Sequence, residues 1–192
     1  MVKNVYVVGL WLFAATMLVF FALYFFGMNV DYFQNTLLLN AFVLPAVYVV
    51  GGYVSVNSVR KAGIAMGFRH GFKRAFQPMF IGGLLSVLAI YFFLNVADKD
   101  AKDLLNYQYI ERQKTELNNE YEKAKLHVTT EEEKVKLDTD YHNRLQSFSP
   151  EMIKGKDMFT LRQFVYYFAA ILVFYVILSI FFASFFRSRR EL

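Results

Sequence analysis

Read from its N-terminus, the chain alternates between long apolar runs and strongly polar stretches. The first run, residues 5–26, holds no ionisable side chain other than tyrosine. A helix of that length covers about 33 Å at about 1.5 Å per residue, enough for a hydrocarbon layer about 30 Å thick. Residues 37–56, 78–96 and 164–186 are three further runs of the same kind. The pattern predicts four spanning helices. Bulky Leu23-Tyr24-Phe25-Phe26 stands where a signal peptide would carry its small-residue cleavage site, so the first span is expected to be retained.

The polar stretch 97–162 has a rhythm of its own. Leu104, Tyr107, Ile110, Leu117, Tyr121, Ala124 and Val128 recur at threes and fours, interrupted by Lys114, as on one face of a coiled-coil-like helix. Thr130 and Glu133 fit a capping box that opens a second helix, whose apolar face is marked more sparsely by Val135, Tyr141, Leu145 and Phe148. Ser149-Pro150-Glu151 supplies a cap and first-turn proline for a third, short helix. The expected fold class is an all-α integral membrane protein with four transmembrane helices and a long extracytoplasmic helical hairpin between helices 3 and 4. Residues 1–96 would hold three spans and a basic loop at 57–77, residues 97–162 the hairpin, and residues 163–192 the last span and a basic tail. No Pro or Gly follows Gly83 before Thr130, which leaves open whether the third span continues unbroken into the hairpin.

Composition agrees with this layout. The chain is 56% hydrophobic, against about 45–50% for ordinary soluble domains. It has no cysteine, hence no disulfide and no thiolate metal site. Lys3, Arg60, Lys61, Arg69, Lys73, Arg74, Arg187, Arg189 and Arg190 all fall on one side of a four-span topology, and the opposite short loop, 27–36, has no Lys or Arg. Because basic residues in short flanks stay in the cytoplasm, both termini are expected there, with residues 97–162 periplasmic in a bacterial inner membrane.

Phe68, Phe72 and Phe76 repeat every fourth residue, with Arg69, Lys73 and Arg74 toward the other faces. The spacing predicts an interfacial helix with its aromatic face on the hydrocarbon and its cations among anionic headgroups. Arg60, Lys61, Phe68, Arg69, Phe72, Lys73, Arg74 and Phe76 are therefore the candidate lipid-contacting residues. A basic cluster this short, set against a membrane, argues against nucleic acid as a partner.

Chemistry is harder to find. None of the four runs contains Asp, Glu, Lys, Arg or His, the residues that mark transport pathways inside a bilayer. His70, His127 and His142 lie far apart, and glycine-rich phosphate loops, nucleophile elbows and HExxH motifs are missing from the sequence. No catalytic residue, metal site or cofactor is expected, and the protein is not expected to be an enzyme. Pro45 predicts a kink in the second span, and Gly51/Ser55, Gly82/Ser86 and Ser179/Ala183 are small pairs at a spacing that lets helices approach closely.

The run ending in Gly51-Gly52-Tyr53-Val54-Ser55, the basic Ser58-Val59-Arg60-Lys61, and Gly67-Phe68-Arg69-His70-Gly71-Phe72-Lys73-Arg74-Ala75-Phe76 leading into a Gly/Ser/Leu-rich span carry a resemblance. Together with the charged insert before the last span, they resemble an uncharacterised four-span inner-membrane family of Bacteroidota, one of the domains of unknown function. The chain departs from that pattern in having Arg69 and His70 where an acidic residue is expected. The resemblance implies a Bacteroidota inner-membrane protein, encoded near a polyprenol-phosphate glycosyltransferase, and it carries over no site residues.

Two functions fit these readings. The first is a non-catalytic accessory or scaffold subunit that holds another membrane or envelope protein through its hairpin, with Leu104, Ile110, Leu117 and Tyr121 as the partner-binding face. The second is a lipid-handling protein that presents an anionic or polyprenyl-phosphate lipid to an enzyme through the Arg60–Arg74 cluster.

Overall fold

The computed structural model describes residues 2–153 and 156–188, so the predicted basic residues Arg189 and Arg190 lie outside the described residues. Every regular element among those described is helical: α1 (Val5–Gly27), α2 (Tyr32–Leu38), α3 (Leu44–Lys61), α4 (Phe68–Phe92), α5 (Lys99–Lys125), α6 (Glu131–Gln146), α7 (Pro150–Ile153) and α8 (Leu161–Phe185). Wider π-helical turns at Leu39–Val43 and Phe93–Ala97 extend α2 into α3 and lengthen α4. Four stretches are long and apolar enough to cross a membrane: Val5–Gly27, Tyr32–Lys61, Phe68–Ala97 and Leu161–Phe185. Each overlaps one of the four apolar runs, the second starting five and the third ten residues before the run it contains. The chain forms two compact units, one made of the chain up to Asp98 and again from Phe159 on, the other of Lys99–Met158.

In the first unit α4 is central and packs against α1, α3 and α8. Small residues make this possible. A Cβ placed on Gly82 would lie 2.7 Å from Leu12 Cβ and 2.9 Å from the Gly9 carbonyl oxygen, so α1 and α4 meet almost backbone to backbone. Leu12, Tyr48, Val56, Val59, Met79, Tyr175 and Phe182 form the buried centre, with the Tyr48 and Tyr175 rings stacked at 5.0 Å. The buried hydroxyls of Thr16, Ser86 and Ser179 each donate to the carbonyl one turn back on their own helix, and Thr16 Oγ1 also lies 3.3 Å from Tyr48 Oη on α3. Caps fix two helix starts: Asn4 accepts from the Tyr6 amide at 2.9 Å and Thr160 from the Gln163 amide at 3.3 Å.

Two elements differ from the sequence expectation, and one question it left open receives an answer. Residues 60–76 do not form a separate interfacial helix, because α3 stops at Lys61 and α4 starts at Phe68 and runs without a break through Pro78. The stop is a Schellman turn. Gly63 takes φ +69°, Ile64 N–H donates to Val59 O at 3.4 Å, and Gly63 N–H donates to Arg60 O at 3.0 Å. In the second span, the irregularity at Pro45 takes the form of the π turn just before it, with the proline in the first turn of α3. The third span also does not continue as one helix: after its π turn, Asp98 adopts extended backbone (φ −141°, ψ 93°) and α5 begins anew at Lys99.

In the second unit α5 and α6 pair antiparallel. The Tyr121 and Tyr141 rings stack at 4.2 Å, Tyr141 Oη donates to Asn118 at 2.7 Å, and Arg144 pairs with Glu120 at 3.0 Å. Asp157 draws the end of the unit back to its start by accepting from Lys102 and Asn106, both at 3.1 Å. The predicted capping box is present: Thr130 Oγ1 accepts from Glu133 N–H, and the Glu133 carboxylate accepts from Thr130 N–H. These bonds to Thr130 hold the Glu133 carboxyl below the usual carboxylate range. A group with a depressed folded pKa stabilises above its unfolded pKa, and the contribution is lost as pH falls through the folded value. Thr130→Ala, which removes the cap acceptor, is expected to lower stability at neutral pH. Thermal unfolding followed down a pH series should show the difference from wild type shrinking once the carboxylate is protonated.

Candidate functional site at the basic end of the first unit

Charge in the first unit is segregated. Among its described residues the carboxylates are Asp31, which precedes α2, and Asp98, which accepts from Tyr24 Oη at 2.6 Å; both belong to the end where α1 finishes. Of the cations, Arg162 shares that end, with its guanidinium 5.5 Å from the Tyr166 ring centre. Lys3, Arg60, Lys61, Arg69, Lys73, Arg74 and Arg187 occupy the other end with no carboxylate among them. That end is where the second and third spans connect and where the chain leaves α8.

At its centre is a knot of hydrogen bonds created by Pro78. A proline inside a helix supplies no N–H to the carbonyl four residues earlier, and here that carbonyl belongs to Arg74. Ser55, fully buried on α3, donates its hydroxyl to Arg74 O at 2.6 Å in place of the missing amide. The Arg74 side chain then turns inward. Its Nη2 donates to Lys3 O at 2.6 Å, Ser58 Oγ at 3.2 Å and Ser55 O at 3.4 Å, while its Nε is buried without a partner. Ser58 Oγ donates to Ser55 O at 2.7 Å and accepts from Lys3 N–H at 3.1 Å. One guanidinium thus joins the N-terminal segment, α3 and α4.

A second fastening holds the end of α8. Ser188 N–H donates to Met66 O, and Met66 N–H donates to Ser188 Oγ, both at 3.0 Å. The Arg60 guanidinium lies 5.5 Å from the centre of the Phe186 ring, within cation–π range. Between these groups is a groove of about 300 Å³ lined by Arg60, Gly63, Ile64, Ala65, Met66, Phe186 and Ser188. A wider hollow of about 680 Å³ lies beside it, lined by Gly67, Phe68, Arg69, His70 and Lys73. Gly67 caps α4 without a side-chain acceptor, so the first-turn amides of α4 face the same basic region.

The residues singled out in the sequence divide accordingly. Arg60, Lys61, Arg69 and Lys73 are exposed, and Phe68 is 43% exposed. Arg74 is half-buried in the knot, and the half-buried Phe72 and Phe76 stack at 5.6 Å in a ladder that continues to Phe80 and reaches Phe168 on α8. Ser55, Ser58 and Ser188 were not singled out as site residues. A proline four residues after Arg74, with serines on the preceding span, is the signal that could have exposed the first two.

In the second unit, Leu104 and Ile110 are half-buried and Leu117 is 3% exposed. Half-buried Tyr121 donates to Asp138 at 2.8 Å, which holds its phenol above the usual range. Leu104, Ile110, Leu117 and Tyr121 are the partner-binding face expected from the sequence. Instead Ala101, Leu105 and Leu117 turn inward, and Tyr107, Leu126, Val135 and Met152 are exposed apolar side chains.

These features define an all-helical protein with four apolar helices of membrane-spanning length. The chain belongs to the family described as Protein of unknown function (DUF4199), which matches residues 8–188. No curated protein matches the chain, and neither does any solved structure.

Proposed function

We propose that this chain is a non-catalytic accessory subunit of a bacterial inner-membrane complex, of the Bacteroidota type its sequence resembles. Both termini and the basic end are cytoplasmic in this reading. Residues 99–158 form an extracytoplasmic helical hairpin that docks a partner protein. The observation that carries the reading is the division of labour along the chain. The spans are packed glycine against side chain or backbone, as at Gly82 against Leu12 and Gly9 and at Gly71 against Ala183. The remaining polar sequence is folded as a unit of its own. Leu117 is buried within the chain, so the docking face lies on the outward side of α5 and α6, around Tyr107 and Val135.

The test replaces residues 99–158 with a short glycine-serine linker and follows co-purifying proteins from native membranes in mild detergent. Insertion is expected to survive, because each span satisfies its own backbone hydrogen bonds, and the partner is expected to be lost. Retention of the partner at wild-type levels would overturn the docking role.

A second reading, presentation of an anionic or polyprenyl-phosphate lipid, is favoured by the hollow that gathers Arg69, His70 and Lys73. It expects the linker variant to keep its binding to phosphate-bearing lipid.

A further inference from the structure

The guanidinium of Arg74 is a cation with only neutral company. Its acceptors are two carbonyls and a hydroxyl, Lys3 O at 2.6 Å, Ser55 O at 3.4 Å and Ser58 Oγ at 3.2 Å, and all three fall on Nη2. Nε is buried with no acceptor. The end of the unit that holds Arg74 has no carboxylate among the described residues. A charge withdrawn from water is costly unless an opposite charge and hydrogen bonds offset it. Here the chain supplies hydrogen bonds on one nitrogen and no opposite charge.

What Arg74 lacks is an anion with two oxygens side by side, which the Nε and Nη2 edge of a guanidinium meets with paired hydrogen bonds. A phosphate monoester answers that need with about −1.5 to −2 charges near neutral pH. One of the present acceptors is also replaceable. Val2, Lys3 and Asn4 are exposed, and Lys3 is fastened through its backbone, its carbonyl by Arg74 and its N–H by Ser58 Oγ at 3.1 Å. We propose that Arg74 is a binding site for a phosphate monoester and that the N-terminal segment is the strap that closes it. The phosphate takes the Nε and Nη2 edge, Lys3 O loses its donor, and residues 2 and 3 come free. Charge-assisted hydrogen bonds are stronger than the neutral-acceptor bonds they replace, which sets the direction of the exchange. The inference rests on the lipid-presenting reading above and adds its regulation.

The experiment uses the full chain in mild detergent with a spin label on Val2→Cys, since the chain has no cysteine of its own. Dioctanoyl phosphatidic acid is titrated in, with dioctanoyl phosphatidylglycerol and inorganic phosphate as the other arms. Label mobility reports the strap, and native mass spectrometry counts bound lipid. Phosphatidic acid is expected to bind and to mobilise the label, and phosphatidylglycerol, whose phosphate is a diester, to do both less well. Ser58→Ala removes the hydroxyl that Lys3 and Arg74 share. It should bind phosphatidic acid roughly three- to tenfold more tightly, the scale of one or two neutral hydrogen bonds, and a damaged fold gives no such gain. Arg74→Gln should bind it roughly tenfold more weakly, with circular dichroism matching wild type as the check that it folds. Phosphatidic acid bound with the label unmoved, unchanged affinity in folded Arg74→Gln, or no gain in Ser58→Ala would overturn the strapped site and leave the lipid-presenting reading standing. Inorganic phosphate mobilising the label as readily as phosphatidic acid would uphold the site and overturn the lipid-presenting reading. Binding in none of the three arms would overturn both.

Discussion

Ser55→Ala is expected to lower the thermal unfolding midpoint of the detergent-solubilised protein by several degrees, although it removes one oxygen atom. The hydroxyl is the donor to Arg74 O, which Pro78 leaves without an amide partner. A buried acceptor deprived of its donor costs about 1–3 kcal/mol, and for a chain of this size each kcal/mol shifts the midpoint by about 2–4 °C. Arg74→Leu should destabilise to a similar degree, because Lys3 O and Ser58 Oγ lose their shared donor. The decisive variant is Pro78→Ala placed on Ser55→Ala. An alanine at position 78 supplies the N–H that the helix lacks, so this double variant should recover most of the loss. A double variant as unstable as Ser55→Ala alone would show that the serine acts through something other than the orphaned carbonyl.

The other large effect is expected at Gly82. A Cβ there meets Leu12 Cβ at 2.7 Å, Gly9 O at 2.9 Å and Phe13 N at 3.3 Å. Two of those three atoms are backbone, so the clash is relieved only by moving α1 away from α4 along their length. Overpacking of this kind costs about 1–3 kcal/mol even for one methyl group, and Gly82→Leu should not yield folded protein. Gly51→Ala is the comparison, because its near atoms are the δ and γ carbons of Leu12, which can rotate away. Monodisperse yield on size exclusion and the unfolding midpoint should rank wild type above Gly51→Ala, and Gly51→Ala above Gly82→Ala. Equal effects at the two glycines would mean that the closeness of α1 and α4 does not limit stability.

The spans were legible because each is an uninterrupted apolar run, and a run of that length has few alternatives to a helix across a bilayer. The knot at the basic end was not. Phe68, Phe72 and Phe76 at fourfold spacing among Arg69, Lys73 and Arg74 look the same whether the helix lies on the membrane or enters the bundle. What decides between them is tertiary: α4 continues through Pro78, and Ser55 on another helix satisfies the resulting vacancy. Asp98 was illegible for a different reason, since neither Gly nor Pro marks the break. In the second unit the heptad-like reading put Tyr107, Leu104, Ile110 and Leu117 on one and the same face. The structure instead buries Ala101, Leu105 and Leu117 and turns Tyr107 out, so a spacing of threes and fours alone did not fix which flank of α5 is covered.

The position of α4 between α1 and α8 has a consequence for biogenesis. Its α1-facing side, with Gly82, finds its partner as soon as three spans have emerged, whereas Gly71 and Gly83 wait for Ala183 and Tyr175 on α8. From Phe92 to Phe185 the ribosome must add 93 residues, which takes about 5–20 s at ordinary rates of synthesis. For that interval the glycine-bearing flank of α4 is open to lipid or to the insertion machinery, and the Met66–Ser188 fastening forms only after the last span has arrived. Nascent chains stalled before residue 160 should therefore be the form of this protein most readily captured by insertion factors.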